Sequence, residues 1–126
     1  MRGQVNAGVF LHRYGRADDT INHGDGPSPD ELLRAKWMRA GSCRGDEKYR
    51  WFGQPNTLKS LRAAAICREC PVRQMCLASA LVFGEEFGVW GGLNPVERRP
   101  LHRRLALGET LGSVLRSVLN GERRAA

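Results

Sequence analysis

From residue 28 onward the apolar positions recur at helical spacing, and no segment alternates with the two-residue period of a strand. Ser28-Pro29-Asp30-Glu31 reads as a capping box, with Pro at the first helical position and Glu three residues after Ser. It opens a helix over Leu32 to Ala40, with Leu33 and Trp37 one turn apart and Gly41 as the expected stop. Asn56 or Thr57 caps a second helix, LKSLRAAAIC, rich in the strong helix formers Ala and Leu. Cys70-Pro71 starts a third, VRQMCLASALVF, stopped by Gly84. Gly88-Val89-Trp90-Gly91-Gly92 is incompatible with regular helix and reads as a tight turn. Asn94-Pro95-Val96-Glu97 opens another helix, which Pro100 is expected to break or kink. Leu101, Leu105, Leu111, Leu115 and Leu119 follow, mostly in steps of four, with Gly108 and Gly112 weakening the segment. The expected fold is all-α, with a small helical domain over residues 28–107. Residues 1–27, containing DDTINHGDGPSP and little apolar periodicity, are expected to form a disordered lead. Residues 108–126 are expected to be a basic, weakly helical tail.

At 126 residues and 41% hydrophobic, the chain suits one small folded unit and excludes a barrel or doubly wound enzyme scaffold. No apolar run approaches the ~20 residues that span a bilayer. No sustained apolar stretch follows the early Arg2, so the expectation is a cytoplasmic protein without signal peptide or membrane partner. The charge of +7 is uneven. Residues 98–126 hold seven Arg against two Glu, net +5, whereas residues 1–30 are net −1. That excess predicts an anionic partner. His12 and His23, in the lead, read as solvated side chains.

The four cysteines follow the pattern Cys43-x23-Cys67-x2-Cys70-x5-Cys76. A permanent disulfide framework is the poorest reading for a chain in the reducing cytosol. A thioredoxin-like pair, Cys67-Arg-Glu-Cys70, lacks its strand–helix context. Structural zinc and an iron–sulfur cluster fit the spacing equally well. Cys67 closes one helix, Cys70 caps the next, and Cys76 lies six residues on, on nearly the same side. The free N–H groups at the start of that helix are expected to point toward the Cys67 and Cys70 thiolates, stabilising an anionic site. Cys43 completes the set, and bound metal would staple three helices of a small core together.

Trp37-x5-Cys43, Cys67-Arg-Glu-Cys70-Pro71-Val72, Cys76-Leu77, Gly88-Val89-Trp90-Gly91-Gly92-Leu93 and Glu97-Arg98-Arg99 together resemble the WhiB-like proteins of actinobacteria and their phages. The likeness spans residues 30–105. The resemblance implies one [4Fe–4S] cluster per chain, sensitive to oxygen and nitric oxide, on Cys43, Cys67, Cys70 and Cys76. It implies transcription regulation rather than enzymatic activity, in complex with the C-terminal region of the primary sigma factor. The chain is expected to be a monomer outside that complex. Gly88, Val89, Trp90, Gly91 and Gly92 are the candidate docking residues, because glycines admit a close partner and Trp supplies hot-spot area. The alternatives are a zinc-stabilised regulator, or a protein disulfide reductase using Cys67 and Cys70 in the apo form. Trp37 and Phe52 are expected to pack over the metal site. Arg98, Arg99, Arg103 and Arg104 form a candidate DNA patch, with Arg123 and Arg124 as a second; both offer phosphate attraction without base readout. The chain departs from the family in Trp51-Phe52, where a Phe pair is common, in Pro100, and in lacking an Arg-Gly-Arg-Pro hook.

Overall fold

A computed structural model describes residues 20–32, 37–43 and 57–125, with side chains described up to Asn120. The Ser28 capping box forms: Ser28 N–H donates to Glu31 Oε1 at 2.9 Å, and Glu31 N–H donates to Ser28 Oγ at 3.3 Å. Residues 33–36 of the expected first helix, Leu33 among them, lie outside the described residues. A 3-10 turn over Met38–Ala40 follows, closed where expected by Gly41 N–H donating to Met38 O.

Helix α1 spans Leu58–Arg68, and Thr57 caps it by accepting from Ser60 N–H at 3.2 Å. Helix α2 spans Arg73–Val82. Its cap position is Val72 rather than the expected Cys70. Cys70-Pro71-Val72 makes a turn between the helices, with Cys67 O accepting from Cys70 N–H and Cys70 O from Arg73 N–H. Helix α3, Pro95–Ala106, opens with a complete capping box between Asn94 and Glu97 and Pro at its first position. Of the break or kink expected at Pro100, the break does not occur: α3 runs through it to Ala106. The carbonyl left without its N–H partner is that of Val96, an exposed residue in the first turn. Burial of Leu101 and Leu105 beyond the proline holds the helix in register.

The segment expected to be only weakly helical forms helix α4, Leu111–Ala125. Leu111, Val114 and Leu115 are fully buried, so the leucine spacing serves the core. Gly108 lies just past the end of α3, where Glu109 N–H returns to Arg104 O at 3.0 Å in a Schellman closure. Gly112 is a point of close approach: a Cβ there would collide with the Asp25 carboxylate and meet Gly26 N at 3.0 Å.

Helices α2, α3 and α4 pack pairwise around a core of Leu32, Leu77, Leu81, Leu101, Leu105, Leu111 and Leu115, with smaller residues between. Residues 20–27, part of the stretch whose composition predicts disorder, lie against this core. Asn22 O and His23 O accept from Leu111 N–H and Gly112 N–H, satisfying two orphan donors of the first turn of α4. Ile21 packs on the core, Asp25 pairs with Arg116, and His23 Nδ1 donates to Pro27 O at 2.6 Å. Helix α1 stands apart. Its buried side packs in a small second cluster of Ala63, Ala64, Cys67 and Val89, with Ile66 alongside. Among the described residues, no helix is long and apolar enough to cross a membrane.

Candidate metal centre and docking turn

Cys43, Cys67, Cys70 and Cys76 line one open cavity of about 210 Å³. Four separate pieces of chain deliver them: the stretch just after the 3-10 turn, the last turn of α1, the α1–α2 turn, and α2. The other walls are largely apolar, with Trp37, Met38, Ile66, Val72, Val89 and Trp90. Trp37 is buried and fixed by its indole N–H donating to Leu32 O at 3.0 Å, so it walls the site as expected. Phe52 and Trp51 lie outside the described residues.

The thiols sit in a mixed field. Ser42 N–H donates to Cys70 Sγ at 3.3 Å, and Gly91 N–H donates to Cys76 Sγ. Of the N–H groups at the start of α2, that of Arg73 bonds the Cys70 carbonyl and not a thiol. Burial pushes the Cys76 thiol up to about 12; the Gly91 amide opposes that shift, and the charges of Cys67, Cys43 and Cys70 add to it. Four thiolates crowded on an apolar cavity repel one another, so a cation is needed to hold them deprotonated together. The donor set, thiols with backbone N–H groups on two of the sulfurs, fits a thiophilic metal or an iron–sulfur group.

The Gly88–Gly92 turn closes one side of this cavity. Trp90 and Leu93 exchange backbone hydrogen bonds at 3.0 and 3.1 Å across Gly91-Gly92. Those two glycines have φ of +61° and +87°, the sign pattern of a type I′ turn. Gly91 also lies directly on α2, where a Cβ would fall 2.5 Å from Leu77 Cβ. Arg73 Nε donates to Gly91 O at 2.9 Å, so both polar groups of Gly91 are tied to α2. Val89 is buried against α1. Trp90 is half-buried: it borders the cavity and its indole N–H donates to Phe87 O at 2.9 Å, while Phe87 is 64% exposed. Gly91→Ala is expected to force the turn off α2 and cost about 2–3 kcal/mol, from overpacking and the positive φ together. A lowered Tm and poor metal retention would report it; unchanged values would mean the turn takes no part in holding the cysteines.

The arginines separate into different roles. Arg98, placed by charge in the DNA patch, is 1% exposed. It sits one and two turns before Leu101 and Leu105 on the buried stripe of α3. Its guanidinium donates to carbonyls of the loop before and after the turn. Burial pulls its pKa down to about 10, which leaves it charged at neutral pH. Arg104 is ion-paired with Glu109 at 2.5 Å and also donates to Ser117 Oγ. Its charge is matched, and hydrogen bonds from Arg104 and then Ser113 hold the Glu109 carboxyl down at about 2. Arg99 and Arg103 are exposed one turn apart on α3. The candidate patch therefore narrows to these two. Arg73 and Met38 belong to the site and were not singled out by the sequence reading. Arg73 lies one turn before Cys76 and was recognisable from helical spacing.

Residues 37–101 match the family model described as Transcription factor WhiB. The chain is 39% identical over 97 residues to the redox- and pH-responsive transcriptional regulator WhiB3 of Mycobacterium tuberculosis, covering 68% of this chain and 94% of that protein. It is 38% identical over 74 residues to the redox-responsive transcriptional regulator WhiB3 of Mycolicibacterium smegmatis, covering 54% and 77%. It is 39% identical over 72 residues to the transcriptional regulator WhiB1 of Bifidobacterium longum, covering 54% and 78%. The matched segment contains all four cavity cysteines and the whole Gly-Trp turn, and the chain belongs to the WhiB family.

Proposed function

We propose that this chain is a redox-responsive transcription regulator of the cytoplasm. It holds one [4Fe–4S] cluster on Cys43, Cys67, Cys70 and Cys76, and docks on the C-terminal region of the primary sigma factor through the Gly88–Gly92 turn. One observation carries the reading: the four thiols share a single cavity, and the half-exposed Trp90 of the turn forms part of its wall. The names of the matching proteins, all transcriptional regulators, support it.

The cavity favours a cluster over zinc. A tetrathiolate zinc, with bonds of about 2.3 Å, draws its sulfurs to within about 4 Å of one another. The thiols instead surround about 210 Å³, room for a multi-atom group. Such a cluster supplies electron transfer and reactivity toward oxidants when bound. The chain's own part is to limit and tune that reactivity. Trp37, Met38, Val72 and Val89 give the cavity apolar walls, and the Ser42 and Gly91 amides stabilise negative sulfur.

Arg99 and Arg103 supply salt-sensitive attraction to DNA phosphate beside the sigma factor. Arg99→Ala with Arg103→Ala is expected to lower the slope of log affinity against log salt by about 1.8, two lost phosphate contacts at about 0.9 each. The fall should be equal on a promoter duplex and a scrambled one, with sigma-factor binding retained. A loss confined to the promoter would mean that α3 reads bases, and no loss would mean that these arginines face solvent alone. The docking itself is tested by titrating anaerobically purified protein with a purified C-terminal fragment of the primary sigma factor. A saturable 1:1 complex is expected, and its absence would refute the reading.

A further inference from the structure

We propose that Arg98 is a positioning residue for partner docking, holding the loop that presents Trp90 in its bound shape from beneath. The proposal rests on the docking role given above to the Gly88–Gly92 turn. Arg98 Nη1 donates to Gly88 O at 2.7 Å and to Leu93 O at 2.8 Å, one on the way into the turn and one on the way out. Nη2 donates to Glu85 O at 3.2 Å and reaches Phe87 O at 3.5 Å. One planar group thus spans both ends of a loop whose middle carries three glycines with positive φ. Backbone that permissive has little shape of its own, and a rigid fork of donors removes the freedom that a partner would otherwise have to restrict. The Phe87 carbonyl is shared: the Trp90 indole N–H donates to it at 2.9 Å, so the ring is oriented on the same segment that Arg98 grips.

The position of the charge fits this role. Arg98 is fully buried, so it cannot touch DNA, and a leucine on the same stripe would fill the volume with no desolvation cost. What a leucine cannot do is satisfy the carbonyls that this non-helical loop turns inward. Glu85 and Glu97 are the negative groups that favour the cation, and Cys76 receives the Gly91 N–H at the tip of the same turn. The turn is therefore held at its base by Arg98 and at its tip by a cavity sulfur. Lysine retains the charge at this position, but its single nitrogen cannot serve the Gly88 and Leu93 carbonyls that Nη1 bridges and also the Glu85 carbonyl that Nη2 reaches.

The test compares the full-length holo protein with Arg98→Lys and Arg98→Met. Backbone hydrogen exchange is read by mass spectrometry, and affinity is measured for a sigma factor C-terminal fragment. In both variants the amides of Trp90 and Leu93 are expected to exchange about tenfold faster or more, while amides in α2 and α4 keep wild-type protection. Fragment affinity is expected to fall about tenfold or more in both. Wild-type exchange at the turn in Arg98→Lys, or affinity within twofold of wild type, would overturn the proposal. Equal acceleration in the turn, α2 and α4 would also overturn it, by making Arg98 a general fold residue. If the wild-type protein fails to bind the fragment, the docking role falls and the positioning proposal that depends on it falls too; localised exchange would then assign Arg98 to turn shape alone.

Discussion

Cys67→Ala is expected to empty the cavity of metal and to release α1, while the α2–α3–α4 core stays folded. The packing dictates this order. The buried leucines sit in the core that α2, α3 and α4 share, whereas α1 contributes Ala63, Ala64 and Cys67 to a separate small cluster with Val89. Its Leu58 and Leu61 are 62% and 57% exposed, so they contribute little to burial. An 11-residue helix is marginal in water without a tertiary anchor. Metal ligation, on the order of 10 kcal/mol for tetrahedral structural sites, is large enough to supply that anchor. Cys43→Ala, Cys70→Ala and Cys76→Ala are expected to lower metal content similarly. Metal analysis with hydrogen exchange across α1 checks both parts. Full metal in any one variant would remove that cysteine from the ligand set, and undiminished protection of α1 in metal-free, reduced protein would show that the metal is not structural.

Trp90→Ala is expected to weaken binding of the sigma factor fragment by about 2 kcal/mol or more, roughly thirtyfold. The indole is half-buried in the cavity wall, next to Phe87 on the open surface, so a partner covering this edge would bury both rings. Because Trp90 also borders the thiols, affinity has to be compared at matched metal content. Trp90→Phe, which keeps an apolar ring and loses the N–H donated to Phe87 O, is expected to fall between the two. Unchanged affinity in Trp90→Ala would return the residue to a turn anchor without a docking role.

What the sequence disclosed and what it hid have physical causes. Capping boxes at Ser28 and Asn94 were legible because their bonds lie within four residues. The Gly91-Gly92 turn was legible because only glycine accepts two successive positive φ values cheaply. Pro100 suggested a break that α3 does not make, because burial of Leu101 and Leu105 beyond it, a tertiary property, holds the helix. The last helix was underrated because Gly112 weakens propensity locally, whereas its value is the close approach of Asp25 and Gly26, more than eighty residues earlier in the chain. Arg98 shows how two sequence signals can conflict. Its charge grouped it with Arg99, while its spacing to Leu101 and Leu105 put it on the buried face, and the spacing prevailed. The cysteines were legible as a set. Their arrangement around a cavity, rather than a point, required the α1–α2 turn and the Met38–Ala40 turn to be placed in space.

The central claim is that these four thiols hold an iron–sulfur cluster, and the most direct measurement is iron, acid-labile sulfide and zinc per chain in protein purified anaerobically, read with its visible spectrum. The account predicts about four iron and four sulfide per chain and a brown solution whose visible absorption bleaches on exposure to air. A colourless protein carrying one zinc and no sulfide would contradict it.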